Sequence, residues 1–139
     1  MIIDAIKNGI VIDHIKAGHG MELYNILKLG ELDCSIALIK NVASVKYGKK
    51  DIIKIDALLD INYDVLGYVA PECTVNVIKD GVLAEKMTVS IPERIEGVIK
   101  CKNPRCITST EQEIVHIFKL ADREKRVYRC MYCDTQAKN

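Results

Sequence analysis

The sequence has few aromatic residues and no excess of either charge. It contains no tryptophan and one phenylalanine, and aromatic residues make up 5% of its 139 positions. So few rings argue against a surface that stacks nucleic-acid bases. Twenty basic and 19 acidic side chains give a formal net charge of +1. Nucleic acids and membrane surfaces attract proteins with a clear positive excess, so we expect neither as a partner.

Long apolar runs are also missing. No apolar stretch approaches the roughly 18 residues that a membrane span requires. The opening MIIDAIKNG meets an acid at Asp4, whereas a signal peptide has a long apolar stretch there. Apolar residues make up 49% and charged residues 28%, which suits a chain with a buried core. We therefore expect a folded cytoplasmic protein.

The chain changes composition near residues 90–94. Residues 1–94 contain 11 basic and 13 acidic side chains, a formal charge of −2, and are rich in Ile, Val and Leu. Residues 95–139 contain 9 basic and 6 acidic side chains, a formal charge of +3, together with four of the six cysteines. We predict a first domain over residues 1–93 and a second over 94–139.

Turn and capping residues predict the elements of the first domain. Asn-Gly and Asp-Gly pairs between β-prone segments favour hairpins, and apolar residues at helical spacing predict a helix. The predicted elements are a hairpin at Asn8-Gly9, a helix from Met21 closed by Gly30, strands over 34–39 and 51–55, a helix over 62–69 opened by Asn62, and a hairpin at Asp80-Gly81. This order indicates an α+β fold, a ferredoxin-like sandwich with helices on one face of a mostly antiparallel sheet.

The second domain is too short to form a large core. A module of roughly 45 residues rarely folds without a metal, disulfides or a partner. Three of its segments resemble strands, namely VIKC over 98–101, EIVHIFKL over 113–120 and RVYRC over 126–130. We predict a small all-β module held together by metal.

Four cysteines form the predicted metal site. Cys101 and Cys106 are separated by four residues, Cys130 and Cys133 by two, and 23 residues lie between the pairs. Two such loops can place four thiolates around a tetrahedral Zn²⁺ ion, and thiolates select zinc or iron–sulfur over magnesium or calcium. Four protein ligands leave no open position for substrate, so we expect one structural zinc ion per chain.

Other uses of these cysteines remain open at this point. The cluster could be two buried thiol pairs, or Cys130 and Cys133 could form a redox dithiol. A redox CxxC motif normally opens a helix, whereas this one follows a predicted strand. Disulfides are disfavoured in the reducing cytosol. Cys34 and Cys73 lie in apolar stretches and are expected to be plain buried thiols.

Several segments, taken together, resemble the regulatory chain of aspartate carbamoyltransferase. They occur in order along the chain, and the spacing of the four cysteines is similar to that of the family as well. The segments are AIKNGIVIDHI from residue 5, GKKDIIKI from residue 48, Ala70-Pro71 with TVN from residue 74, and PERI from residue 92.

The resemblance implies a non-catalytic subunit that controls pyrimidine biosynthesis. In that family the first domain binds CTP as inhibitor and ATP as activator, and we keep UTP as a further candidate. The zinc domain contacts the catalytic chain, here with Asn103 and Arg105 as candidate contacts, although these two could simply form a solvated turn. Regulatory chains form dimers, for which the strand over 34–39 is a candidate edge.

The resemblance also implies a nucleotide site. Taken alone, its lysines would be ordinary surface charges, although Lys50 and Lys54 share one face of a strand. Asp13 and His14 are adjacent, so the strand must bend or end there for both to reach one ligand. By family match, Lys86 and His14 would hold phosphates with help from Lys50, Asp13 and Lys54 would meet the ribose, and Ile6 and Asn76 would lie near the base.

The sequence also allows two other classes of protein. A zinc ribbon that binds nucleic acid is favoured by five cations near the cysteines, but Asp122 and Glu124 interrupt them. These cations are Lys119, Arg123, Lys125, Arg126 and Arg129. An enzyme is disfavoured because the sequence has no Ser-His-Asp arrangement, no phosphate-binding GxxxxGK[ST] loop and no open metal site.

Overall fold

The computed structural model describes residues 7–45 and 48–137. The chain divides into two compact units, residues 1–90 and residues 91–139. Among the described residues, none of the helices has the length and apolar character needed to cross a membrane.

A single antiparallel sheet forms the first unit. Its five strands lie in the order β2-β3-β1-β4-β5, and the first four follow the arrangement of a ferredoxin-like fold. The predicted α+β class is therefore confirmed. The elements are β1 (Gly9–Lys16), α1 (Gly20–Ile26), a 3₁₀ helix (Leu29–Glu31), β2 (Ile36–Ser44), β3 (Gly48–Ile55), α2 (Tyr63–Val69), β4 (Thr74–Lys79) and β5 (Val82–Thr88).

One face of this sheet carries the core. Alternate residues of a strand point to opposite faces, and α1 contacts β2, β3 and α2, so both helices lie on the face with the buried residues. The other face is left for polar and half-buried side chains. The buried core residues of the strands and helices include Ile10, Ile12, Ile15, Leu23, Ile53, Ile55, Leu66 and Val75.

Two of the predicted local features are formed as expected. The Asn62 side chain accepts hydrogen bonds from the backbone N–H groups of Asp64 and Val65, which caps α2. Asp80 and Gly81 have φ values of 53° and 78° and join β4 to β5 in a tight hairpin. The end of α1 differs, because Lys28 rather than Gly30 takes the left-handed conformation there.

The predicted hairpin at Asn8-Gly9 is wrong for the part of it that the structure describes. Both edges of β1 are occupied, one by β3 and the other by β4, and Lys7 lies outside the strands, with its carbonyl accepting from the Gly81 N–H at 2.9 Å. Asn8 contacts the other turn instead, since its Oδ1 accepts from the Asp80 N–H at 3.2 Å.

The second unit contains a three-stranded antiparallel sheet in the order β6-β7-β8. It consists of β6 (Arg94–Glu96), β7 (Ile117–Asp122) and β8 (Val127–Cys130), with a single helical turn, α3 (Ile107–Thr110). Ile95, Phe118 and Tyr128 form its buried centre.

The strands of this unit differ in part from the prediction. The segment 98–101 is not a strand, because the Cys101 N–H donates to His116 Nδ1 at 3.0 Å instead of joining a ladder. The first strand is the segment 94–96, four residues earlier in the chain.

Candidate functional site

The sulfur atoms of Cys101, Cys106, Cys130 and Cys133 all lie within 4.8 Å of one another. The Sγ atoms of Cys101 and Cys133 are 3.6 Å apart, as are those of Cys106 and Cys130. A disulfide would require about 2.05 Å. A tetrahedral zinc site with Zn–S bonds of about 2.3 Å has sulfur atoms about 3.8 Å apart. The cluster fits a structural zinc ion bound by four cysteines.

Tight loops position these cysteines. In the first loop, Asn103 Oδ1 accepts from the Arg105 N–H at 3.0 Å, and the Asn103 carbonyl accepts from the Cys106 N–H at 3.1 Å. In the second loop, Cys130 ends β8 and its carbonyl accepts from the Asp134 N–H at 2.9 Å. CxxC here follows a strand, as predicted, and does not open a helix.

Burial and hydrogen bonding act differently on the thiols of Cys101, Cys130 and Cys133. Burial raises the pKa of Cys101 to about 12 and also raises the pKa of Cys130. The Thr135 hydroxyl, 3.1 Å from Cys133 Sγ, lowers the pKa of that thiol to about 6. A zinc ion would supply the positive charge that keeps buried thiols deprotonated.

A cavity of about 520 Å³ lies in the first unit, on the sheet face opposite the core. Four residues predicted for the nucleotide site line it, namely Asp13, Lys54, Asn76 and Lys86. Its other lining residues are mostly apolar, and the sequence reasoning missed them. Strand alternation could have identified all of them except the turn residue Gly81, since the strand residues point away from the buried core. They are Val11, Ile52, Ile78, Gly81 and Leu83.

Strand register places the central lining residues in one row. Val11 of β1 lies opposite Lys54 of β3 on one side and opposite Asn76 of β4 on the other, and Asn76 lies opposite Lys86 of β5. Neighbouring strands are about 4.8 Å apart, so the Cα atoms of the two lysines are separated by about 14 Å. The cavity therefore has a lysine at each side and the Asn76 amide near its centre.

The strand bends at Asp13 and His14, as the prediction required. The β1–β3 register shifts between Ile12 and Ile15, and His14 has φ of 59°, which marks a β-bulge. The bulge places Ile12 and Ile15 both in the core. His14 does not line the cavity, and its Nδ1 lies 3.1 Å from Thr74 Oγ1.

Lys50 also lies beside the cavity rather than in its lining. Its Nζ atom is 2.9 Å from Asp13 Oδ1. Burial would raise the pKa of Asp13, but hydrogen bonds from Lys50 and from the His14 N–H outweigh it, so the pKa is lowered. Ile6, predicted near the base, lies outside the described residues.

A buried carboxylate that was not predicted from the sequence lies on the core side of the same sheet. Asp51 is fully buried, and its Oδ2 accepts from the N–H groups of Gly18 at 3.1 Å and Gly20 at 3.0 Å. Its Oδ1 accepts from the Asn41 N–H at 3.1 Å. Asp51 thus joins β3 to the start of α1 and to the middle of β2.

The remaining predicted residues lie on the surface of the second unit. Arg105 is exposed and Asn103 is half-buried in the first cysteine loop. Among the cations considered for nucleic acid, Arg123 is 3.4 Å from Glu93, an ion pair that favours a solvated face over a continuous basic one.

Comparison with known proteins matches both units to one family. Residues 1–90 match the model of the aspartate carbamoyltransferase regulatory chain, allosteric domain, and residues 93–139 match the metal binding domain of the same chain. A regulatory chain from Clostridium acetobutylicum is 52% identical over 134 residues, covering 96% of this chain and 92% of the relative. One from Bifidobacterium longum is 46% identical over 138 residues, covering 99% of each.

Proposed function

The chain belongs to the family of aspartate carbamoyltransferase regulatory chains, and from this premise we propose that it is a cytoplasmic subunit that binds CTP and ATP in the first unit and docks to the catalytic chain through the second. Regulatory chains are non-catalytic, which agrees with a zinc site that has all four positions filled by cysteine. Its role would be to adjust pyrimidine biosynthesis to the supply of nucleotides.

One observation carries the nucleotide part of the proposal: four of the residues named by family resemblance line one cavity. A triphosphate needs cations, a ribose needs hydrogen-bond partners, and a base needs a polar edge contact and an apolar surface. Lys86 would hold phosphates, Asp13 and Lys54 would meet the ribose, and Asn76 would contact the base.

Lys50 and His14 would then contribute from beside the cavity, outside its lining. Lys50 is bound to Asp13 and would orient that carboxylate. His14, whose Nδ1 lies 3.1 Å from Thr74 Oγ1, would contact phosphates from the edge of the cavity. CTP and ATP would compete for the same cavity, with UTP as a further candidate. The opposite effects of CTP and ATP require the two nucleotides to favour opposite quaternary states, with a coupling of about 1–3 kcal/mol.

Two protein contacts complete the proposal. Asn103 and Arg105 would meet the catalytic chain, because the zinc loop presents the exposed Arg105 on a turn fixed by Asn103. The strand β2 lies at the edge of the sheet and has β3 as its partner among the described strands, so its other edge could pair with a second regulatory chain.

Co-purification with the aspartate carbamoyltransferase catalytic chain, followed by activity measurements with and without CTP, tests the proposal. We expect a stable complex whose activity changes with CTP. The variant Lys86→Ala should form the same complex but lose most of the response. A chain that does not bind the catalytic chain, or a complex that ignores all three nucleotides, would refute the proposal.

A further inference from the structure

Two cysteines of the metal cluster have a threonine hydroxyl two residues further along the chain. These cysteines are Cys106 and Cys133, one in each loop. Thr108 Oγ1 lies 3.0 Å from Cys106 Sγ, and Thr135 Oγ1 lies 3.1 Å from Cys133 Sγ.

The direction of these two hydrogen bonds follows from the chemistry of the ligands. As a thiol, Cys133 donates to Thr135 Oγ1. A zinc-bound cysteine is a thiolate and has no hydrogen to give, so in the zinc site each hydroxyl would donate to its sulfur. Donation draws electron density from the sulfur, which makes the thiolate less nucleophilic and spreads the negative charge of the four-sulfur site. Such outer contacts commonly change metal affinity by about 10- to 100-fold.

The two threonines occupy different surroundings. Thr108 is 3% exposed and Cys106 is 2% exposed, so this hydrogen bond is shielded from water. Cys133 is the one cysteine of the cluster that is not buried. A reagent from solution therefore meets Cys133 before the other three sulfurs.

We propose that the Thr108 and Thr135 hydroxyls are positioning groups that determine how firmly the zinc ion is held, and that Cys133 is the ligand through which the site opens. Thr108 strengthens binding from inside the cluster. Thr135 lowers the reactivity of the exposed Cys133 sulfur. Electrophiles that modify thiols therefore attack this sulfur slowly, and zinc is lost slowly. This inference concerns the zinc unit alone and stands whether or not the first unit binds nucleotides.

Iodoacetamide provides a chemical probe of the opening step. The Cys133 sulfur would form a bond to the methylene carbon of the reagent as the carbon–iodine bond breaks and iodide leaves. The resulting thioether has no negative charge and is a poorer zinc ligand, so the ion is released to a chromogenic chelator. Mass spectrometry of early time points identifies the first cysteine modified.

The experiment compares Thr135→Val and Thr108→Val in the full chain with Thr110→Val. Thr110 is the matched control, because its hydroxyl donates to the Ile107 carbonyl at 3.3 Å and not to a sulfur. We expect Thr135→Val to release zinc about tenfold faster, with the first label on Cys133, and Thr108→Val to bind zinc about tenfold more weakly in chelator competition. The sulfur-to-cobalt absorption of the Co²⁺-loaded chain should shift in both variants but not in the control.

Serine variants separate the hydroxyl from the shape of the side chain. Thr108→Ser and Thr135→Ser keep the donor and should restore slow release and the cobalt absorption, even if Thr108→Val folds poorly. The inference is overturned if the valine variants match Thr110→Val in zinc release and cobalt absorption, if the serine variants fail to restore them, or if another cysteine is labelled first.

Discussion

Lys50 Nζ lies 2.9 Å from Asp13 Oδ1, and this ion pair ties β3 to the bulge of β1 beside the cavity. Both side chains are mostly buried, with 16% and 22% of their surfaces exposed. The carboxylate is therefore ionised and already oriented before any ligand arrives. Such preorganisation reduces the entropy that binding would otherwise cost.

Lys50→Met should shift the titration of Asp13 upward. Lys50 helps to lower the pKa of this carboxyl, whereas burial raises it and remains in the variant. A lowered pKa stabilises the fold above the unfolded-state value, and the stability is lost as the pH falls through the folded-state value. On acidification, the variant should therefore begin to lose stability at a higher pH than the wild type. At neutral pH its free energy of unfolding should be lower by about 1 kcal/mol.

Carboxyl NMR titration and acid unfolding followed by circular dichroism measure both effects. Lys49→Met, at an exposed position of the same strand, is the control and should titrate like the wild type. An unchanged Asp13 titration in Lys50→Met would show that the ion pair does not set its pKa.

Lys86→Ala should weaken triphosphate binding markedly and nucleoside binding little, because Lys86 would contact phosphates. The loss of one charged hydrogen bond of about 1.5–3 kcal/mol corresponds to roughly 10- to 100-fold in affinity. Calorimetry with CTP and with cytidine measures the two losses. Lys79→Ala, exposed on β4 and outside the cavity lining, should bind CTP normally. Equal losses for nucleotide and nucleoside would contradict a phosphate contact.

Cys130→Ala should unfold the second unit and leave the first folded. Structural zinc contributes about 10–16 kcal/mol to folding, which exceeds what so small a core provides. Far-UV circular dichroism, NMR of the first unit and a zinc assay report the result. Cys34→Ala, outside the cluster, should keep its zinc. A Cys130→Ala unit that folds without metal would contradict the structural role.

Asp51→Asn should destabilise the first unit by about 1–3 kcal/mol. Both carboxylate oxygens accept backbone hydrogen bonds, and an amide NH₂ would face one or more N–H donors. Urea unfolding measures the loss, with the exposed Asp56→Asn as control. Equal stability of the two variants would mean that the three hydrogen bonds contribute little.

The parts of the molecule predicted well are those specified by nearby residues. The cysteine spacing predicted the metal cluster because each pair lies on one short loop, and Asn62 and Asp80-Gly81 specified a cap and a turn directly. Pairing between distant strands was harder to predict, so the Asn8-Gly9 hairpin was wrong. Asp51 was also missed, since its partners lie 10 to 33 residues away along the chain.

The strand β2 is interrupted by an irregularity between Ile39 and Val42, where Asn41 has φ of 58°. Its outer edge is therefore divided into two short stretches that do not form one straight template. An edge strand of a second regulatory chain could pair with one stretch. Pairing of many chains along the whole edge would be disfavoured. Because Asp51 accepts from the Asn41 N–H, this buried carboxylate holds the irregularity that divides the edge.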